Sequence, residues 1–96
     1  MIYKSYIETL PCLIGGGVAE GHHLVAVGMG RNRKTSKWED YTRIPLNRRY
    51  HTELHQIGIS QFEKKYKINL YKEAFIILAK WIFHKNQLQI MEGIDG

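Results

Sequence analysis

Two pairs of histidines, set at different spacings, constrain this chain more than any other feature. His22 and His23 are adjacent, inside the alternating run Gly21-His-His-Leu-Val-Ala-Val27, while His51 and His55 stand four residues apart. Alternation is the period of a strand, on which neighbouring side chains leave opposite faces. A spacing of four is the period of a helix, where both rings share one face a turn apart. A fold that joins the pairs must therefore pack a strand against a helix. Only one of His22 and His23 can then face that helix; the other is free for a different task.

Taken in order, the chain supplies those elements. Ile2, Tyr3, Tyr6, Ile7 and Leu10 are spaced for a short amphipathic helix that Pro11 stops. Gly15 to Gly17 allow a tight turn, and no Lys-Ser/Thr follows to make it a phosphate-binding P-loop. A first strand is expected over about 21–27 and a second over Tyr41 to Pro45, with the proline ending it. Arg48 to Ile57 reads as a helix closed by Gly58, with Tyr50, Leu54 and Ile57 as its apolar stripe and the two histidines beside it. Ser60-x-x-Glu63 has the form of a capping box opening a short helix over 61–66. Asn69 is placed to cap a last helix over about 70–84, with Leu70, Ala74, Ile77, Leu78, Trp81 and Ile82 on one side. Phe75, Ile76 and Phe83 make that helix apolar almost all round. It is expected to be buried on more than one side, or else to offer a surface for a homodimer. The tail from Lys85 reads as loosely ordered.

Ninety-six residues allow one domain, expected to span 1–96, and its core is thin enough to gain from a bound metal or a partner. The net charge of +5 is not spread evenly. Between Arg31 and Arg49 seven basic residues face only Glu39 and Asp40, and elsewhere the two signs cancel. The excess of positive charge thus lies between the histidine pairs, where it suits a phosphate backbone. One cysteine, Cys12, excludes an internal disulfide and fits a reducing compartment. The first residues lack the apolar core of a signal peptide, and the longest apolar run is too short to span a bilayer. A soluble intracellular protein, with no membrane partner, is expected.

Three neutral imidazoles that leave one position open form a catalytic metal site. His51 and His55 would supply two ligands, and either His22 or His23 the third. The remaining imidazole then sits near the metal as a general base for water attacking a phosphodiester. Imidazole ligands favour zinc, nickel, manganese or iron over magnesium.

Glu20-Gly-His-His23 and Arg49-Tyr-His-Thr-Glu-Leu-His55 together resemble the two motifs of the HNH, or His-Me finger, endonucleases. The wider set of Leu10-Pro-Cys-Leu-Ile14, Gly28-Met-Gly-Arg31, Pro45-Leu46 and His51 to Gly58 is similar to small phage and prophage HNH nucleases of the recombination-enhancement type. The resemblance covers about residues 8–62. It implies a ββα-metal core over about 20–58; with the short N-terminal helix and the C-terminal helical extension over about 60–84 that the apolar spacing predicts, the fold expected is α+β. It implies His23 as general base and His22, His51 and His55 as ligands to one divalent ion: zinc, nickel, manganese or magnesium. Glu20 holds the place of a carboxylate that orients an imidazole or a basic side chain. Thr42 stands where the family carries its middle Asn, with a hydroxyl to brace the loop but less hydrogen-bonding capacity. Relatives bind a structural zinc through paired cysteines; the corresponding positions here are Cys12, Gly15, Asn47 and Tyr50, so no structural zinc is expected.

The expected function is a metal-dependent DNA endonuclease of low sequence specificity, in which Arg31, Arg33, Lys34, Lys37, Arg48 and Arg49 are candidate phosphate contacts. The setting implied is the cytoplasm of a bacterial host, with a phage or prophage gene. The alternative is an inactive HNH-fold module that binds DNA or protein, as a phage accessory or inhibitor.

Overall fold

The structure, a computed structural model, describes residues 2–25 and 38–95, with side chains through residue 87. Helix α1, Tyr3–Thr9, leads through the glycine turn to strand β1, Glu20–His23. A 3₁₀ helix, Trp38–Thr42, runs directly into strand β2, Arg43–Leu46. Helices α2, Arg48–Tyr66, and α3, Leu70–Asp95, complete the chain. This is an α+β fold in which an antiparallel pair of strands and the helix after it form a ββα unit.

The register of the two strands decides which side chains meet. Glu20 pairs with Leu46, Gly21 with Pro45, His22 with Ile44 and His23 with Arg43. Because side chains alternate, Glu20, His22, Ile44 and Leu46 share one face, while Gly21, His23, Arg43 and Pro45 share the other. On the first face Ile44, Leu46, Leu54 of α2, Phe62 of α2, Leu70 and Ala74 of α3, and Cys12 form the main core. A second cluster joins Tyr3 and Ile7 of α1 to Ile77 of α3, with Trp81 edge-on to Tyr3 and Tyr6 tilted against Trp81.

Several boundaries differ from the sequence expectation, each for a local reason. β1 ends at His23: Leu24 N–H still reaches Thr42 O at 3.3 Å, but Val25 N–H turns to the Thr42 side-chain oxygen at 3.2 Å. The expected continuation of this strand over 26 and 27 lies outside the described residues. Tyr41 and Thr42 belong to the 3₁₀ helix rather than to β2, because the Thr42 hydroxyl donates to Glu39 O at 2.7 Å and closes the turn. Pro45 lies inside β2 instead of ending it. Its carbonyl accepts Leu13 N–H at 3.0 Å, so its backbone faces away from β1 and the missing N–H costs the pairing nothing.

Asn47 caps α2 by accepting Tyr50 N–H at 3.1 Å, and its own N–H donates to Cys12 Sγ at 3.2 Å. At Gly58 the helix breaks, with φ 82° and ψ 166°, a conformation almost confined to glycine. Beyond the break, Phe62 is fully buried in the core. Ile57, expected in the apolar stripe, lies beside the break and is 37% exposed, whereas Leu54 is buried. Across the break, Glu53 accepts from both Lys65 and Tyr66. Glu63 does not reach back as a capping box; its carboxylate accepts Leu70 N–H at 2.7 Å and so caps α3, together with Asn69, which accepts Lys72 N–H. α3 runs on to Asp95 instead of ending near His84, since Gln87 to Glu92 are strong or neutral helix formers with no proline among them. It is not buried all round: Phe75 and Phe83 are exposed.

Candidate metal centre

The shared face of β1 and α2 gathers the histidines that the spacing singled out. His22 faces α2 and is buried, His51 is half-buried and His55 is exposed, and one ring nitrogen from each lies within 4.8 Å of the others. Ring centroids are 4.4 Å apart for His22 and His51, and 4.9 Å for each of the other two pairs. Burial thus falls off from strand to helix, and the cluster opens to solvent on the His55 side.

Glu20 sits on the same strand face as His22, two positions earlier, and so points at the same helix. Its Oε1 accepts from His51 Nδ1 at 2.5 Å, and its carboxylate also accepts from Arg48 Nε. The hydrogen bond from His51, ahead of that from Arg48, holds the Glu20 carboxyl below the usual range. With Nδ1 protonated toward Glu20, the lone pair of His51 lies on Nε2, the nitrogen left for a metal.

The donor set fits a divalent cation. Burial first, then the neighbouring His51 and His55, push the pKa of His22 down to about 4, so its ring is neutral at physiological pH. Its Nδ1 is buried without a hydrogen-bond partner, an unsatisfied polar atom of a kind that a folded core rarely leaves. A neutral, desolvated imidazole beside two others, one of them oriented by a carboxylate, is the chemistry of a metal ligand with its supporting partner. The cluster His22, His51 and His55 is capable of coordinating a metal ion.

His23 leaves the opposite face, as strand alternation requires. Its Nε2 lies 2.9 Å from Asp40 Oδ1 in the 3₁₀ helix. The same carboxylate oxygen accepts from Arg43 Nη2 at 3.3 Å, and Arg43 Nη1 donates to Gly21 O at 3.3 Å. No motif or periodicity marks Asp40 or Arg43; the cross-strand pairing of His23 with Arg43 follows only from the register. Thr42 braces the end of β1 to the 3₁₀ helix through its two hydrogen bonds.

Arg48 and Arg49 open α2 beside the cluster, and both are exposed; the Arg49 guanidinium lies 5.5 Å over the Tyr50 ring. Arg31, Arg33, Lys34 and Lys37 lie outside the described residues. Cys12 Sγ accepts the Asn47 N–H, and Tyr50 packs on the core that contains Cys12 and Leu54. Among the described residues no helix is long and apolar enough to cross a membrane.

These features define a small ββα domain whose histidine cluster resembles an HNH-like metal-binding fold. Residues 1–79 match the family described as "Protein of unknown function (DUF968)", and the chain belongs to that family. No curated protein and no solved structure matches it.

Proposed function

We propose that this protein is a metal-dependent endonuclease that hydrolyses DNA phosphodiesters with little sequence preference, its single domain spanning 1–96. The observation that carries this reading is the convergence of His22, His51 and His55 within 4.8 Å, with His23 held on the adjacent strand position by a separate carboxylate. His22, His51 and His55 would hold one divalent ion: zinc, nickel, manganese or magnesium. Such an ion supplies Lewis acidity to the phosphate and to the leaving oxygen. His23 takes the proton from a water whose oxygen bonds to phosphorus; one ester P–O bond breaks, and the leaving alkoxide is reprotonated from solvent. Glu20 keeps the His51 ring oriented, and Thr42 steadies the turn that follows β1. Arg48 and Arg49 bind backbone phosphates, joined by Arg31, Arg33, Lys34 and Lys37, and such contacts give salt-sensitive affinity without base readout.

The test is supercoiled plasmid incubated with protein and Mg²⁺, Mn²⁺, Ni²⁺ or Zn²⁺, beside an EDTA control and a His23→Ala variant. Cleavage with one of these ions, abolished by EDTA and by His23→Ala, is expected. Cleavage that survives His23→Ala overturns the assignment of the base. DNA binding with no cleavage under any ion replaces the enzyme with a binding module on the same fold.

A further inference from the structure

We infer that Asp40 is a positioning residue for His23, and that Arg43 and Gly21 form the platform that holds it. The inference rests on the nuclease reading for its role, and on geometry for its existence. Asp40 Oδ1 lies 2.9 Å from His23 Nε2, so a neutral His23 donates its Nε2–H there and carries its lone pair on Nδ1. The carboxylate does not wander, because Arg43 Nη2 donates to the same oxygen. Arg43 is itself confined: its side chain is only 14% exposed, and Nη1 donates to Gly21 O. Gly21 allows this approach. A Cβ added there would stand 3.2 Å from Arg43 Cδ and 3.3 Å from Nη1, closer than ordinary packing tolerates.

The order along the chain brings these groups together. Gly21 and His23 lie on one strand, Arg43 is cross-strand from His23, and Asp40 is one 3₁₀ turn before Arg43. Gly21, His23 and Arg43 share the strand face opposite the metal cluster, and Asp40 meets His23 from the 3₁₀ helix. The carboxylate that orients the base is thus distinct from Glu20, which orients His51, and the two halves of the site should respond separately to substitution. When His23 Nδ1 accepts a proton from water, the ring becomes a cation, and the carboxylate already bonded to Nε2 stabilises it at the moment it forms.

The test joins a spectroscopic readout to a kinetic one. In wild-type protein, ¹H–¹⁵N spectra should show a slowly exchanging, downfield Nε2–H proton on His23. Asp40→Ala should remove that signal. It should also lower kcat for plasmid cleavage by about 10-fold to 100-fold, within the range for general base catalysis. KM for DNA and the Kd for the metal should stay unchanged. In Asp40→Asn the amide oxygen still meets two donors, so the protected proton should persist while kcat falls, since the charge is gone. That variant serves even where Asp40→Ala fails to fold. Absence of the protected proton in wild type overturns the inference, as does Asp40→Asn or Asp40→Ala cleaving at the wild-type rate. A wild-type protein that shows the proton but cuts no DNA under any ion overturns the nuclease reading instead, leaving the Asp40–His23 bond established without a catalytic use.

Discussion

Glu20 touches both a candidate ligand and a candidate phosphate contact, His51 and Arg48, and its effect on the two differs. Toward Arg48, whose side chain is 83% exposed, it forms a solvated pair of little energetic consequence. Toward His51 it fixes the ring and the nitrogen that faces the cluster. Glu20→Gln should therefore weaken metal binding by about 10-fold to 100-fold, as loss of a ligand's supporting carboxylate usually does. Competition with a chromophoric chelator measures this, and an unchanged Kd would show that His51 needs no such support. His22 gives a prediction in pH. The metal-free folded chain excludes its proton down to about pH 4, whereas an unfolded chain accepts it near 6.5. Between these values the unfolded state binds more protons, so stability is full above about 6.5 and declines as pH falls toward 4. Thermal melts of metal-free protein across that range should show a falling Tm, and His22→Gln should flatten the slope within it. At this scale the clustering of His22, His51 and His55 was legible because the periods of strand and helix differ. Asp40 was not, because its approach to His23 depends on a 3₁₀ turn that carries no periodic signal.

The helix that carries His51 and His55 is built in two segments. The first presents those histidines toward β1, the second buries Phe62, and the two meet at a break. Gly58 makes that break with a backbone conformation that side-chain-bearing residues avoid, in space that is open around its missing Cβ. Gly58→Ala should cost about 1–3 kcal/mol through backbone strain alone. Urea unfolding reads that cost, and a cost near zero would mean that the break relaxes freely. The Glu53 contacts to Lys65 and Tyr66 tie the segments together across the break. The sequence placed the end of the ligand helix correctly at Gly58, since glycine is the ordinary stop. It misread Glu63, because a capping-box spacing is equally met by a residue that caps the following helix.

Seen whole, the molecule measures 51 × 34 × 21 Å, far from spherical, and α3 is the reason. Leu70, Ala74 and Ile77 bury one side of it, while Tyr71, Phe75, Ile82 and Phe83 stay exposed. Three of these are aromatic, Phe75 the most exposed at 73%. A homodimer of the kind expected from the helix's composition would bury this stripe, and solution mass tests that expectation. Sedimentation velocity over a concentration series should show a mass that rises toward twice the monomer, and Phe75→Glu should hold it at the monomer. A wild-type protein that stays monomeric at high concentration removes the homodimer from consideration. Periodicity located α3 and its buried side. The exposure of Phe75 and Phe83 was not legible, because an apolar residue in a sequence does not say whether its own chain or another one covers it.

Adjacent histidines on β1 also bear on folding fidelity. Short paired strands can slide by one position, and a slide by one exchanges the two faces of the strand. At most sites such an error is self-revealing, since a polar group replaces an apolar one in the interior. Here an imidazole would replace an imidazole, and the misaligned chain would still offer a histidine to α2 and another to Asp40. What separates the right alignment from this near-copy lies elsewhere: Ile44 and Leu46 sealed on one face, Leu13 joined to the Pro45 carbonyl, and Arg43 seated over Gly21. Packing and backbone contacts outside the imidazoles thus decide which histidine joins the cluster.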